Sequence, residues 1–224
     1  MTAAFDVIST GGLSEARLAD IADVAGLSLG SIQHYFRKRD QLVTETFRSL
    51  IELSGAIWRH VTLTEPDPLR RLLALLRLQV SGWAPFERRW AFWFEFWGAA
   101  RRIDELATHV SGIYASWQHP FEEALTEGAE AGVLTLREPV AVYSLKLMAI
   151  IDGLAIRALV DTENFDSRQM SEMLLSTVCH DLSIAGSDSG TALEGLPEVI
   201  GISYPAETPV GERIDWSPLD LAGL

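Results

Sequence analysis

Apolar residues recur at intervals of three and four along residues 2 to 182, and few residues suggest strands, so the pattern is helical. It predicts nine helices, over residues 2–10, 17–25, 29–35, 39–61, 69–81, 87–100, 104–131, 139–160 and 167–182. The run Glu65-Pro66-Asp67-Pro68 breaks the chain, because two prolines cannot both sit inside a helix. Gly132 and Pro139 punctuate a loop, and Pro120 is expected to kink or divide the seventh helix. The expected class is all-α, about nine helices in all. A head of short helices occupies residues 1–45 and a larger helical body residues 46–185, with the fourth helix long enough to bridge them.

Residues 18–42 carry the most information. Leu18, Ile21, Ala22 and Ala25 fall at i, i+3, i+4 and i+7, one apolar face of a short helix. Gly26 stands where that helix stops, since glycine takes the left-handed conformation without a side-chain penalty. Leu27 is expected to plug the corner, and Ser28 to cap the next helix by accepting a backbone N–H. On that second helix Ile32 and Phe36 face inward, leaving Leu29, Ser31, Gln33 and His34 outside. A helix–turn–helix sends its second helix into the major groove with the residues near its N-terminus on base edges. This segment has that build.

The run Ile21-Ala22, Ala25-Gly26-Leu27-Ser28, Gly30, His34-Tyr35-Phe36 and Arg39-Asp40-Gln41-Leu42 resembles the DNA-binding domain of TetR-family regulators. Its His-Tyr-Phe ending most resembles the BetI-like branch. The aromatic run Trp90-Ala91-Phe92-Trp93-Phe94-Glu95-Phe96-Trp97 and the segment Ile150-Ile151-Asp152-Gly153-Leu154 resemble the ligand domain of the same branch. The resemblance implies that Leu29, Gly30, Ser31, Gln33 and His34 face the groove. Gln33 can bond adenine N6 and N7 as a pair, and Gly30 lets the helix lie close to the bases. It also implies that Arg17, Ser28, Tyr35 and Arg39 hold phosphates, which fixes register without reading sequence. For Tyr35 and His34 the competing reading is packing between helices. Arg17 replaces the family's usual Ser or Thr, and Arg39 its usual Lys, both changes that keep or add phosphate affinity. Family members carry a longer and often basic arm before the first helix. Here Met1 falls inside that helix, with Ala3, Ala4, Phe5, Val7 and Ile8 as its packing face, so reduced DNA affinity is expected.

Charge complicates the picture. The net charge is −13, yet residues 1–60 hold six cations against seven anions and are close to neutral. Phosphate binding depends on local charge, and the cations cluster at Arg37-Lys38-Arg39, directly after the recognition helix. Residues 186–224 hold four of the nine prolines, many acids and one cation, Arg213, and read as a flexible acidic tail outside the resemblance. The single cysteine, Cys179, excludes an internal disulfide and fits a reducing cytoplasm. Residues 1–12 lack the basic start and apolar run of a signal peptide. The most apolar stretch, residues 140–160, carries Lys146, Asp152 and Arg157, and suits a buried helix better than a membrane span.

Trp83, Trp90, Phe92, Trp93, Phe94, Phe96 and Trp97 crowd one segment. Bulky rings at helical spacing build core, and some of them line pockets; aromatic faces also cage quaternary ammonium groups when a carboxylate such as Glu95 or Asp152 supplies charge. The candidate effector set is Trp90, Trp93, Phe94, Trp97, Trp117 and Asp152. Val142, Leu145, Ala149, Leu154 and Ala158 suggest a face that one subunit leaves uncovered, and in proteins of the resembling family such helices form a four-helix dimer interface. The histidines, His34, His60, His109, His119 and His180, show no metal spacing; His119 and Glu122 lack a second pair, and no nucleophile elbow or phosphate loop appears. No catalytic residue, metal or cofactor is therefore assigned. The expectation is a homodimeric cytoplasmic repressor that releases a double-stranded DNA operator when it binds a small-molecule effector. The alternative is a helical sensor dimer with weak DNA binding that acts through protein partners; an all-α enzyme is a third and remoter class.

Overall fold

The computed structural model describes residues 1–184 apart from residue 109 and the side chain of Glu105. Its helices are α1 (Thr2–Glu15), α2 (Leu18–Ala25), α3 (Leu29–Tyr35), α4 (Arg39–Thr64), α5 (Pro68–Val80), α6 (Phe86–Ala100), α7 (Asp104–Ala107), α8 (Val110–Glu130), α9 (Val140–Val160) and α10 (Ser167–Asp181). The expected tail over residues 186–224 lies outside the described residues. None of the described helices is long and apolar enough to cross a membrane.

The helix expected over residues 104–131 is divided, and not at its proline. It breaks after Ala107, where no glycine or proline marks the sequence, leaving α7 as a single turn. Pro120 instead lies within α8. A proline there forfeits a backbone bond at a cost of about 3 kcal/mol. The full burial of Phe121, Ala124 and Leu125 just after it offsets that cost. The first helix also runs five residues beyond its expected end, bending at Gly12, whose φ of +79° few other residues would adopt.

The described chain forms two compact units. One comprises Met1–Ser54 and Glu87–Ile113. Within it, a small core of Ala4, Ile21, Ala22, Ile32 and Leu42, flanked by Ala3, Val7, Leu18 and Phe36, holds the first three helices to the start of α4. A second, aromatic contact holds α6 against α1 and α4. Phe92 lies 5.1 Å from Phe5 and 4.6 Å from Phe47, and Phe96 lies 5.1 Å from Phe47, ring centre to ring centre. Arg88 of α6 is buried there. Its guanidinium donates to Asp6 Oδ1 (2.5 Å) and Ser9 Oγ (3.2 Å) and lies 5.5 Å from the centre of the Phe5 ring.

The other unit comprises Gly55–Phe86 and the chain from Tyr114 onward. Asp67 caps α5 by accepting the Arg70 N–H (2.8 Å), with Pro68 in the first helical position, so the predicted break at residues 65–68 is where one helix ends and the next begins. Asp166 and Gln169 cap α10 reciprocally, each accepting the other's backbone N–H. α10 packs on α9 and α5 through Met170, Leu174 and Val178, which are fully buried. Between α8 and α9, Gln118 Nε2 donates to Ser144 Oγ (2.8 Å) and Glu122 Oε1 (2.9 Å), and Ser144 Oγ is 3.0 Å from the same carboxylate oxygen.

Replacing Arg88 by Ala removes the partner of the half-buried Asp6 carboxylate. Losing one partner of a fully buried ion pair costs about 3–5 kcal/mol, and the 28% exposure of the Asp6 side chain reduces that cost here. Arg88→Ala should therefore lower the thermal midpoint by several degrees, and Arg88→Lys should restore only part of it, because an ammonium cannot reach Asp6 and Ser9 while lying over Phe5. Melts of the three proteins followed by circular dichroism check this.

Candidate DNA interface and effector region

α2 stops at Gly26, whose φ of +66° and ψ of +28° are left-handed, and the Leu27 N–H closes the end by donating to the Ala22 carbonyl (2.9 Å). Ser28 opens α3: its Oγ accepts the Ser31 N–H (3.0 Å) and lies 2.8 Å from the Ser31 hydroxyl. Both expected roles are therefore present. Leu27 is not the expected plug. It is 54% exposed, because the backbone alone closes the corner and the core beneath is filled by Ile32 and Leu42. Ala25 is likewise exposed.

Ile32 is the buried residue of α3, with Phe36 half-buried just past its end. The other face is bare: Leu29, Gly30, Ser31, Gln33, His34 and Tyr35 are all exposed. Tyr35 is 73% exposed and meets the His34 ring edge-on at 5.2 Å, so neither packs between helices. A Cβ added at Gly30 would meet only Ser28 Oγ, at 3.8 Å. Nothing among the described residues requires glycine there.

The cationic residues divide. Arg17 is exposed at the start of α2, with its backbone N–H on the Asp20 carboxylate (3.2 Å). Arg39 faces inward. Its Nε donates to the Ala16 carbonyl (2.6 Å), and its Nη2 to the Leu13 carbonyl, closing the C-terminal end of α1. Its guanidinium thus ties α4 to α1, while Arg37 and Lys38 beside it are exposed. Those two, rather than Arg39, are the exposed cations at the end of α3.

The aromatic candidates fall in both units. In the first, Trp93 is buried edge-on against Phe92 and Phe96 and is part of the core. Phe94 is 47% exposed, because its position on α6 turns away from the face that packs on α1 and α4. Trp90 stacks on Trp97 at 6.3 Å, and the Trp97 indole N–H is buried with no hydrogen-bond partner among the described residues. In the second unit, Trp117 and Asp152 come together with rings the motif had not marked. Tyr114 hydrogen-bonds to Asp152 and lies 6.1 Å edge-on from Trp117, and Trp58 lies 6.0 Å from Trp117 and 5.8 Å from Phe121. Burial pushes the Asp152 carboxyl up to about 6, and the Tyr114 hydrogen bond offsets part of that rise. Tyr114 and Trp117 share a helix face by their spacing; Trp58 joins them only through the tertiary fold. A half-buried carboxylate beside aromatic side chains is chemically suited to an organic cation.

Outside the core, the apolar stripe on α9 runs through Val142, Leu145, Ala149, Ile156 and Val160. Of the expected stripe, Ala158 is buried and Leu154 half-buried, because Ala158 lies one turn from Ala155 and two from Ile151 on the inner face. Met173 on α10 is also exposed.

Residues 1–46 match the family described as bacterial regulatory proteins of the tetR family, and residues 68–180 match the BetI-type transcriptional repressor C-terminal family. The chain is similar to the transcriptional regulator BetI of Paraburkholderia phymatum, 30% identical over 172 residues that cover 72% of this chain and 80% of that one. It is equally similar to BetI of Ectopseudomonas mendocina, 30% identical over 75% of this chain and 84% of that one. In fold it resembles a transcriptional regulator from Saccharomonospora viridis solved in complex with choline (TM-score 0.73, 23% identity, covering 80% of this chain and 93% of that one). It also resembles a TetR regulator from Haloarcula marismortui (TM-score 0.69, 20% identity, covering 81% and 93%).

Arg39→Ala frees two helix-end carbonyls, and each hydrogen bond from a charged group is worth about 1.5–3 kcal/mol. The variant should melt well below the parent, whereas Lys38→Ala should melt with it. Equal melting of both variants would place Arg39 among the surface cations.

Proposed function

The chain belongs to the TetR family of transcriptional regulators, in its BetI-type branch, and from that membership we propose a repressor that grips a pseudo-palindromic operator as a homodimer and releases it on binding an organic cation. The observation that carries the DNA-binding part is α3 itself, locked at Gly26, Ser28 and Ile32 and bare along its other face. Gln33 then meets adenine, Gly30 allows close approach, and Arg17, Arg37, Lys38 and Tyr35 hold the phosphate backbone. Leu29, Ser31 and His34 complete the groove-facing set, with Ser28 and Arg39 keeping the motif in shape. The exposed stripe on α9, with Met173 on α10, supports the dimer. A dimer supplies the two-fold symmetry that sets recognition helices about 34–36 Å apart, or a multiple of it.

For the effector, Asp152, Tyr114 and Trp117 are the groups we assign first, with Trp58 beside them. The choline bound to the S. viridis regulator supports a quaternary ammonium as the ligand class. Such a ligand shifts the protein away from its operator-binding state only by its differential affinity for the two states, typically about 1–3 kcal/mol.

The test of the DNA reading is fluorescence anisotropy on duplexes from the chain's own upstream region against scrambled duplexes, across a salt series. Sequence-dependent binding with a steep salt slope is expected. Equal and weak binding to both would favour a sensor that works through protein partners. Gly30→Ala should melt about 2–4 °C higher than the parent, since alanine favours helix by about 1 kcal/mol, while losing operator affinity on the order of tenfold. A loss of affinity with a lowered melting point would mean that glycine serves the fold instead.

Asp152 yields the effector test. Its folded pKa lies above the ordinary carboxylate value, so the stability of the protonated form is fully present near pH 4 and is lost as pH rises through about 6. At pH 7.5 the buried charge is therefore a net cost, and Asp152→Asn should raise the melting point there and change it little at pH 4. The same variant should lose choline-induced release from DNA. In the parent, choline affinity should fall about tenfold per pH unit below 6, as the proton displaces the cation's partner. Unchanged choline response in Asp152→Asn would remove this residue from the site.

A further inference from the structure

α3 presents one side chain to the groove that has no polar atom at all. Leu29 occupies the first position of the helix and is 41% exposed. Its neighbours on that bare face can all hydrogen-bond, through the Ser31 hydroxyl, the Gln33 amide, the His34 imidazole and the Tyr35 phenol, or else lack a side chain, as at Gly30. Burying a leucine costs nothing in unmet hydrogen bonds only where the surface it meets is itself apolar. Along the floor of the major groove nearly every exposed group is a hydrogen-bond donor or acceptor. The largest apolar group among them is the 5-methyl of thymine.

We infer that Leu29 is a specificity-determining residue that packs on a thymine methyl, so that each operator half-site carries a thymine within about two base pairs of the adenine read by Gln33. The distance follows from the helix. Leu29 and Gln33 are four residues apart and adjacent along one edge of α3, about 6 Å of helix axis. That span covers at most two steps of the duplex. Gly30 lies between them in sequence and adds no side chain that would hold the pair off the bases. The small core uses Ile32 and Phe36 from this segment and does not include Leu29. The fold therefore gains little from leucine at this position, and the groove is what is left to select it.

This inference rests on the DNA-binding reading above, and the experiment separates the two. The full chain is used to enrich duplexes from a random library, and the tightest is remade with each thymine replaced singly by deoxyuridine, which removes the methyl and leaves the hydrogen-bonding edge intact. Anisotropy should show about a fourfold loss of affinity at one thymine in each half-site, the worth of about one buried methylene-sized group. Replacement at other thymines should change little. In Leu29→Ala the thymine and uracil duplexes should bind alike at that position, and the preference for adenine at the Gln33 position should be retained. A scan in which no thymine is sensitive overturns the inference while leaving DNA binding in place. So does a Leu29→Ala protein that keeps the full uracil penalty. If no sequence is enriched, the DNA-binding reading fails and takes this inference with it.

Discussion

A seven-residue helix cannot hold itself together in water, because nucleation costs more than so few hydrogen bonds restore. α3 is such a helix, and its exposed face must stay unencumbered to be of use. Its order therefore comes from outside: the left-handed Gly26 that turns the chain, the Ser28 oxygen that satisfies the free Ser31 N–H, and one isoleucine driven into a small core. That core draws on α1, α2 and the start of α4 at once. Each element around it is placed by the need to close over Ile32 while leaving the opposite side open.

The attachment of α6 follows the same economy. Its aromatic inner face and the buried Arg88 bind it to α1 and α4, so the ring-rich helix is mechanically continuous with the head. Arg39 does the same at the other end of α1, tying its last carbonyls to the first residue of α4. Two guanidinium groups, each directed at a helix other than its own, add polar ties to the side-chain packing of this unit. The acid–aromatic group around Asp152 is of the opposite kind, a place where the fold tolerates an unfavourable charge. A carboxyl shifted by burial in this way marks a candidate functional position.

The head was legible because its signals are local. Gly26 and Ser28 act on residues within one turn of themselves, and spacing alone locates them and the inward position of Ile32. What spacing could not supply was depth. Leu27 reads as a plug until the backbone is seen to close the corner without it, and Arg39 reads as a surface cation until its reach back to residues 13 and 16 is known. The aromatic run behaved likewise. Seven rings in fifteen positions announce a packed helix, but only the fold says that Trp93 is core, that Phe94 turns outward, and that Trp58 joins Trp117 from another helix. The division after Ala107 left no mark in the sequence, whereas Pro120 left a strong mark and no division.

The knot of Gln118, Glu122 and Ser144 has a consequence outside the core. Ser144 is wholly buried, and its hydroxyl satisfies the Glu122 carboxylate only while α8 and α9 keep their present rotation about their axes. Turning α9 by one residue would take the Ser144 hydroxyl away from both Gln118 and Glu122, leaving the acid only its donor on α8, so the knot acts as an index pin. It fixes the compass bearing of Leu145 and Ile156 on the far side of the same helix. Interior substitutions at these polar positions would then surface as a changed outer face, an inside residue governing what another molecule encounters.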